Sequence, residues 1–395
     1  MSKATNAADK QPAAPKRGNR PGEAAPVLGF TAAGFRRKLG RWYREHAREL
    51  PWRGVDDPYA TWLSEIMLQQ TRVATVIGRY REFLLRFPTI HDLAAADEAD
   101  VLALWSGLGY YGRARMLLRG AQFVECEMQG KLPRTAVELR TLPGVGEYTA
   151  AAIASIAFGE SAAVLDGNVE RVLLRLLGEA EEKSARARAR LVATAQMLTP
   201  PASRGRAAKG NPPGDHNQAM MELGATLCLP RSPLCLQCPV MDLCRTRGEH
   251  ATVARARMQS RTVSHLLALR KRGVATEVLL ERRPRDAALM AGMLELPALP
   301  PDATEGREPA LRLRHAITNT NYYVQIFTER VILEGQMAEP ALEQSLLEKI
   351  PAAKADLRWT PTTKLVQLPL TGLARKTLQR LKVMAVPPFK IGSER

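Results

Sequence analysis

Apolar residues in the first half of the chain recur every three to four positions, which is the period of a helix with one buried face. Phe35, Leu39 and Trp42 give the first such pattern. Asp56, Asp57 and Pro58 then predict the start of a second helix over residues 59–70, because Asp caps helices and Pro fits their first turn. Further helices are predicted at 72–86, 92–106, 112–129, 135–141, 148–158, 169–177, 183–198 and 217–227. This half is predicted to be all-α.

The period changes to two from His265 onward, which indicates β-strands. Residues 264–273 and 275–284 read as a hairpin. Two more strands are predicted at 312–318 and 322–334, and helices at 340–350 and 372–384. The second half is therefore predicted to be α+β.

These patterns divide the chain into an all-α domain over residues 29–250 and an α+β domain over 265–388. The remaining segments are poor in large apolar residues and are not expected to build a core. They are a disordered basic tail over residues 1–28, a basic connector over 251–264 and, inside the first domain, a flexible loop over 199–214.

The charge balance points to a polyanionic partner. The 395 residues carry 57 Lys plus Arg against 40 Asp plus Glu, a net charge of +17. No apolar run reaches the roughly 18 residues that span a bilayer, and the N-terminus has no apolar secretory core. The sequence thus predicts an intracellular protein that is not inserted in a membrane.

Residues 142–150 (LPGVGEYTA) break one helix and begin another. Pro143 ends the first helix, while Gly144 and Gly146 permit positive φ and the close approach of another backbone. The free N–H groups at the start of the next helix form a site for an anion such as phosphate.

Asp166 lies just ahead of a further apolar helix that Gly178 ends. A phosphate-binding turn and a carboxylate separated by one helix suggest chemistry on nucleic acid. The alternative is a tight turn between two helices, with Asp166 acting only as a helix cap.

Four cysteines form a box with the spacing C-x6-C-x2-C-x5-C. They are Cys228, Cys235, Cys238 and Cys244. Four thiolates in so short a segment indicate one metal centre in a reducing compartment, either structural zinc or a 4Fe–4S cluster. The uneven spacing, with only one C-x2-C pair, favours the iron–sulfur cluster. Cys126 stands apart and is predicted to be a buried apolar residue on its helix.

Taken together, these motifs resemble the endonuclease III-like helix-hairpin-helix DNA glycosylases, over about residues 30–244. Three further segments resemble the adenine DNA glycosylases, the MutY family. They are residues 62–71 (WLSEIMLQQT), 107–111 (GLGYY) and 217–224 (NQAMMELG). The resemblance implies removal of adenine mispaired with 8-oxoguanine, or with guanine, from double-stranded DNA in base excision repair.

The resemblance also implies roles for individual residues. Bifunctional relatives carry a Schiff-base lysine where this chain has Tyr148, so a monofunctional glycosylase is expected. Glu65 would be the protonated acid, and Asp166 the ionised carboxylate that stabilises the sugar or traps it covalently. Tyr148, Arg53 and Glu222 would lie at the same pocket.

The adenine must leave the base stack before it can be cut from its sugar. By the same resemblance, Gln70 and Tyr110 would fill the gap that it leaves. Gly144 and Gly146 would hold a phosphate, with a monovalent cation as a further ligand of that turn. From spacing alone, Glu65 sits beside the apolar stripe of its helix, where a carboxylate at the rim in contact with water is the ordinary expectation.

Residues 282–284 (RRP) and 292–297 (GMLELP) resemble the MutT-like, Nudix-fold domain of the same family. That family usually reads the lesion with Phe-Ser-His, whereas this chain has Ile317, Thr318 and Asn319; Thr318 and Asn319 are expected to supply the polar contacts. The acidic hydrolase signature is missing after Gly292, so no pyrophosphohydrolase activity is expected. Alternatively, this domain only stabilises the protein or binds another protein.

Two other functions remain open at this point. One is a glycosylase for a different mismatch, such as T opposite G. The other is a non-catalytic DNA-binding or redox-sensing protein that uses the hairpin and cluster but needs neither Glu65 nor Asp166. The chain is expected to act as a monomer.

Overall fold

The computed structural model of the 395-residue chain describes residues 28–202, 212–253, 258–287, 289–317, 319–331, 345–351 and 356–385. Several predicted features lie wholly or mostly outside these residues. They are the tail up to residue 27, most of the 199–214 loop, residues 254–257 of the connector, Thr318 and the first part of the helix predicted at 340–350.

The described residues from 28 to 253, here the helical half, contain no strand and eleven α-helices. These are α1 (Ala32–His46), α2 (Pro58–Leu68), α3 (Val73–Arg86), α4 (Ile90–Ala94), α5 (Glu98–Trp105), α6 (Gly112–Met128), α7 (Ala136–Leu139), α8 (Glu147–Phe158), α9 (Gly167–Leu177), α10 (Ala185–Leu198) and α11 (Pro212–Thr226). The all-α prediction is confirmed. One predicted helix, 92–106, is instead two helices, because Asp97 begins a new helix after α4 ends.

Local capping explains where the two helices nearest the site begin and end. Asp57 accepts a hydrogen bond from the N–H of Tyr59 and so caps α2, with Pro58 in the first turn. Gly178 ends α9 in the left-handed conformation, at φ +71°. Both boundaries follow from the residues that predicted them.

The prediction for Cys126 is wrong. Its side chain is exposed on α6 rather than buried. The buried face of this helix is formed by Ala114, Leu117, Ala121 and Val124, which recur every three to four residues. Cys126 is two residues beyond Val124 and therefore points away from that face.

The described residues from 258 to 385, here the sheet half, form a seven-stranded mixed sheet. Its strands are β1 (Gln259–Arg272), β2 (Ala275–Arg282), β3 (Leu294–Glu295), β4 (Ala298–Leu299), β5 (Leu311–Ile317), β6 (Thr320–Val331) and β7 (Asp356–Pro361). The main order is β3-β2-β1-β6-β5, with β4 beside β1 and β7 beside β2. Strands β1 and β6 are parallel, and the other pairs are antiparallel.

The α+β class and the predicted β1–β2 hairpin are confirmed, with Arg272 opposite Ala275. The burial of β1 is not alternating, however: His265 to Ala268 are four consecutive buried residues. Leu267 packs in a core on one face of the sheet, and Leu266 in a core on the other. A strand covered on both faces reads as a continuous apolar run.

Helix α12 (Gly372–Arg380) confirms the last predicted helix in a shorter form. The helix predicted at 340–350 is not found in its described part, where residues 346–350 form turns and a bend. There the N–H groups of Leu346 and Leu347 bond to the Glu329 carboxylate. No helix among the described residues is long and apolar enough to cross a membrane.

The two halves pack directly against each other. Ser106 and Tyr111 each donate a hydrogen bond from the hydroxyl to the Leu370 carbonyl, at 3.2 and 3.1 Å. Buried Arg375 on α12 donates from Nε to the Ser106 hydroxyl at 2.6 Å. Met293 from the sheet half is fully buried in the core of the helical half. The segment that precedes α6 is thus held by the sheet half.

Candidate active site

Glu65 is buried rather than at the rim of its helix. All residues of α2 from Tyr59 to Met67 are buried, so this helix is packed on every side. The Glu65 side chain shares that environment, and the residue is only 5% exposed. The expectation of a water-exposed carboxylate, drawn from the stripe of one helix, is therefore wrong.

The Glu65 carboxyl has one described side-chain partner. The Tyr148 hydroxyl, on α8, donates a hydrogen bond to Oε2 of Glu65 at 2.8 Å. Burial raises the pKa of Glu65 to about 7, because the charged form loses its hydration; the Tyr148 hydrogen bond opposes this, and the nearby Asp166 charge adds to it. A carboxyl group with such a pKa is protonated in a large fraction of molecules at neutral pH.

Asp166 has a contrasting environment at the N-terminus of α9. Its Oδ1 accepts hydrogen bonds from the N–H groups of Asn168 and Val169, at 3.0 and 2.7 Å. Its Oδ2 accepts from Nδ2 of Asn168 at 3.0 Å. Backbone donors and the positive end of a helix both favour a negative charge at this position. Asp166 is thus the N-cap of α9, with both carboxylate oxygens accepting hydrogen bonds.

Both carboxylates line one cavity of about 660 Å³. Its walls come from α2, α8, the start of α9 and α11. Six of the residues predicted for the site are among those lining it, namely Arg53, Glu65, Gln70, Tyr148, Asp166 and Glu222. The structure thus brings together residues that are up to 169 positions apart in the sequence.

Glu222 forms an ion-pair network at one wall of this cavity. It is 1% exposed and accepts hydrogen bonds from Arg48 Nε at 2.7 Å and Arg53 Nη2 at 2.7 Å. Burial alone would raise the pKa of Glu222, but the bonds from Arg48 and Arg53 outweigh it and lower that pKa to about 2. Glu222 is therefore a fixed anion that positions two arginines.

Arg48 and Asn168 line the cavity but were not predicted as site residues. Arg48 gave no signal, since its partner Glu222 is 174 residues away. Asn168 did offer one: it follows Asp166 by two residues, within reach of its carboxylate. Close packing fixes this corner, because a Cβ on Gly224 of α11 would lie 2.7 Å from the Cβ of Asn168.

The glycines of the hairpin turn lie outside the residues that line the cavity. Gly144 has φ +76°, and a Cβ there would lie 2.4 Å from the Cβ of Met116, so both conformation and space require glycine. Gly146 does not need positive φ, contrary to the prediction: it has φ −86° and extended geometry. Gly146 is the N-cap of α8, and no side chain caps the first N–H groups of that helix. No atom lies within 4 Å of the position that a Cβ on Gly146 would take.

Tyr110 lies at a second cavity, of about 540 Å³, between the two halves. Tyr110 is 47% exposed, and the cavity is lined from the other side by Ala287, Leu289, Met290 and Ala291 and by the end of β5, Ile317 included. Asn319 is exposed in the turn between β5 and β6 and does not line this cavity. Thr318 is outside the described residues.

The four predicted metal ligands, Cys228, Cys235, Cys238 and Cys244, line one small cavity of about 30 Å³. Arg175 of α9, which is 2% exposed, donates to Sγ of Cys228 at 3.4 Å and to the Leu229 carbonyl at 2.7 Å. Burial raises the pKa of the Cys228 thiol, and the Arg175 guanidinium opposes that rise. Four cysteine sulfurs around one small space are a donor set that fits an iron–sulfur group. Within the described chain, no three Cys, His, Asp or Glu side chains are grouped to hold one metal ion.

Comparison with protein families explains this combination of helices and cysteines. Residues 63–196 match the model of the HhH-GPD superfamily of base excision DNA repair proteins. Residues 228–244 match the iron–sulfur binding domain of endonuclease III, which confirms the prediction of an iron–sulfur site in the cysteine box.

Individual relatives confirm the resemblance seen in the motifs. A human adenine DNA glycosylase is 50% identical over 223 residues, which is 54% of this chain and 39% of that protein. An adenine DNA glycosylase of Buchnera aphidicola is 37% identical over 55% of this chain and 59% of its own length. The chain thus spans less than two thirds of either relative. A solved thermostable thymine-DNA glycosylase is 29% identical, with a TM-score of 0.48, over 55% of this chain and 96% of that one.

Proposed function

We propose that this chain is a monofunctional DNA glycosylase that removes adenine mispaired with 8-oxoguanine, or with guanine, from double-stranded DNA. The observation that carries the proposal is that Glu65 and Asp166 line one cavity in contrasting surroundings. Burial raises the pKa of Glu65 to about 7, whereas Asp166 accepts three hydrogen bonds at the start of α9. Two carboxyl groups kept in opposite states are what hydrolysis of a glycosidic bond requires. The adenine DNA glycosylases among the relatives support the choice of base.

The reaction follows from these two groups. Adenine is a poor leaving group as an anion, so protonated Glu65 donates its proton to a ring nitrogen as the C1′–N9 bond breaks. The electron pair of that bond leaves with the neutral base. The sugar becomes an oxocarbenium-like cation, which the Asp166 carboxylate stabilises. Water then adds to C1′ and loses a proton, which leaves an abasic site.

Tyr148 determines that the enzyme acts without cutting the strand. A phenol cannot form a Schiff base with the opened sugar, and the Tyr148 hydroxyl is engaged by Glu65 Oε2 at 2.8 Å. That bond leaves Oε1 of Glu65 to carry the acidic proton. The Glu222 network, with Arg48 and Arg53, bounds the space in which the extruded base lies.

The rest of the molecule would hold the DNA. The net charge of +17 suits a phosphate backbone, and the uncapped start of α8 at Gly146 can receive a phosphate, with a monovalent cation at the same turn. Gln70 and Tyr110 enter the gap left by adenine. The sheet half, as the Nudix-like reader over residues 265–388, contacts the opposite base near Asn319 and Thr318.

The cysteine box would carry a 4Fe–4S cluster held by Cys228, Cys235, Cys238 and Cys244. Each thiolate of such a cluster binds its own iron, so the cluster suits four thiols that line a shared cavity without converging on one ion. When bound, it supplies a rigid link across the loop from 228 to 244. Arg175 then connects this loop to α9, the helix that Asp166 begins.

The test is single-turnover excision from otherwise identical duplexes that contain A opposite 8-oxoguanine, A opposite guanine or T opposite guanine. We expect release of adenine from the first two duplexes, faster from the first, and no release of thymine. Strand breaks should appear only after alkali treatment, since the product is an intact abasic strand. Excision of thymine alone would replace this proposal with another mismatch, and binding without release of either base would indicate a non-catalytic DNA-binding protein.

A further inference from the structure

Two exposed turns of the helical half have strained backbones. Gln70, after α2, has φ +53°, and Tyr110, before α6, has φ +46°. Such values are uncommon in residues other than glycine and persist only where the surrounding contacts enforce them. Both side chains are at the surface and belong to the residues that would enter the DNA. Contacts beneath them must therefore hold both turns.

The guanidinium of Arg113, in the first turn of α6, lies between these turns. Its Nη1 donates to the carbonyls of Ile66 at 2.7 Å, Met67 at 3.1 Å and Gln69 at 2.5 Å. Two of these are among the last carbonyls of α2, which have no partner within the helix. Arg113 therefore caps the helix that carries Glu65 and fixes the start of the Gln70 turn.

The second nitrogen of the same group reaches the Tyr110 turn. Nη2 of Arg113 donates to the carbonyls of Leu108 at 3.0 Å and Gly109 at 3.1 Å, and to Oγ1 of Thr71 at 3.1 Å. The Thr71 hydroxyl in turn donates to the Leu108 carbonyl at 3.2 Å. One planar cation thus joins the backbones of both turns, which is a geometry that the single ammonium of lysine cannot reproduce.

The aromatic rings nearby complete this setting. The Arg113 guanidinium carbon lies 5.5 Å from the centroid of the Trp105 ring and 5.6 Å from that of Tyr110. Among the described residues no Asp or Glu pairs with Arg113, and its buried Nε has no hydrogen-bond partner. Burying a cation without an acidic partner costs free energy, and only its hydrogen bonds offset that cost here. This distinguishes Arg113 from an ordinary surface arginine.

We propose that Arg113 is a positioning residue that holds the Gln70 and Tyr110 turns at a fixed separation, so that both side chains enter the DNA as one unit while adenine is extruded. The proposal rests on the proposed function, because it concerns how the base reaches Glu65. Arg113 itself does not touch the reacting atoms.

The test variant is Arg113→Lys, which keeps the positive charge but loses the two-sided geometry. Arg119→Lys is the matched control, since Arg119 is exposed on the same helix and makes no described contact. On a duplex with A opposite 8-oxoguanine, we expect Arg113→Lys to lower the single-turnover rate by about 10- to 100-fold, as for a small displacement of a site. The affinity for undamaged duplex should stay unchanged, because the charge remains.

Three measurements separate positioning from a general loss of structure. Fluorescence of 2-aminopurine beside the target adenine reports extrusion and should rise less with Arg113→Lys than with the wild type or Arg119→Lys. A duplex in which adenine faces an abasic site needs less unstacking, so there the rate defect should shrink. Combining Arg113→Lys with Tyr110→Ala should cost little more than the larger single effect, since both remove the same unit.

The outcomes distinguish this inference from the proposed function. If Arg113→Lys extrudes and excises adenine like the wild type, the inference is wrong while the glycosylase function stands. An equal rate defect on the abasic-site duplex would also overturn it. If the wild type extrudes adenine but never releases it, the proposed function fails instead. Should Arg113→Lys not fold, Thr71→Val removes the hydroxyl that bonds to Arg113 and to the Leu108 and Gln69 carbonyls but leaves the other Arg113 bonds, and it is expected to give a smaller defect of the same kind.

Discussion

Glu65 and Asp166 carry the same functional group and line the same cavity, yet the protein gives them opposite surroundings. Glu65 is buried within a helix packed on all sides and accepts one described side-chain hydrogen bond, from Tyr148. Asp166 accepts three hydrogen bonds at a helix N-terminus. The comparison shows that the hydrogen-bond partners and burial of each carboxyl group are set by the element that carries it rather than by the residue type.

The two sites differ in how far protein hydrogen bonds replace the water that an ionised carboxylate loses on burial. An ionised carboxylate at Asp166 accepts hydrogen bonds from the N–H groups of Asn168 and Val169. The positive end of the α9 dipole stabilises its charge as well. An ionised carboxylate at Glu65 would regain only one, so burial dominates and its pKa rises to about 7. Glu222 adds a third case, in which two arginines reverse the effect of burial and lower the pKa to about 2.

The largest effect is expected when the acid is removed. Glu65→Gln keeps the shape of the side chain but has no acidic proton, so the excision rate should fall by about 10²- to 10⁴-fold. Binding to a duplex with A opposite 8-oxoguanine should stay close to that of the wild type. Single-turnover rates and equilibrium titrations measure the two quantities. Excision at the wild-type rate would remove Glu65 from the acid role.

Asp166→Asn should give the next largest effect. The variant removes the charge that stabilises the sugar cation, and we expect a loss of about 10²- to 10³-fold in the single-turnover rate. Glu170→Gln is the matched control, because it neutralises a carboxylate four residues away on α9 that makes no described ion pair. A comparable loss in Glu170→Gln would mean that the general charge of α9, not Asp166, affects the rate.

The environment of Asp166 can be predicted from the sequence, whereas that of Glu65 cannot. The position of Asp166 follows from local rules, since the cap, the apolar helix and the glycine that ends it all lie within the 13 residues from Asp166 to Gly178. The burial of Glu65 does not, because it depends on helices far along the chain that cover the second face of α2. The Arg48–Glu222 pair was missed for the same reason, because its partners are 174 residues apart. Cys126 differs, since its exposure follows from its position off the buried face of its own helix.

The resemblance to a family supplied what spacing could not. It brought Arg53, Gln70, Tyr148 and Glu222 into one list, and the cavity contains all four. It could not supply Arg113, whose six contacts are to backbone carbonyls and one threonine hydroxyl. Every residue has a backbone carbonyl, so bonds to carbonyls leave no pattern in the sequence of the residues that accept them.

A smaller effect is expected on the pH profile. Because Glu65 must be protonated, the wild-type rate should fall about tenfold per unit as pH rises above its pKa of about 7. The hydrogen bond from Tyr148 favours the ionised form and lowers this pKa. Tyr148→Phe removes that bond, so the pKa should rise and the alkaline fall should move upward by about one pH unit. Single-turnover rates between pH 6 and about 9 measure it; a shift to lower pH would contradict this account of Glu65.

The smallest effect separates the two roles of Asp166. Asparagine is as good an N-cap as aspartate, so the amide oxygen of Asp166→Asn can still accept from Asn168 and Val169 N–H, and the free energy of unfolding should change little. Asp166→Ala loses the cap as well and should be less stable by about 1 kcal/mol. Urea unfolding of both variants measures this, while their excision rates should be equally low. If the two variants were equally destabilised, the charge rather than the cap would be holding the start of α9, and the contrast with Glu65 would rest on activity alone.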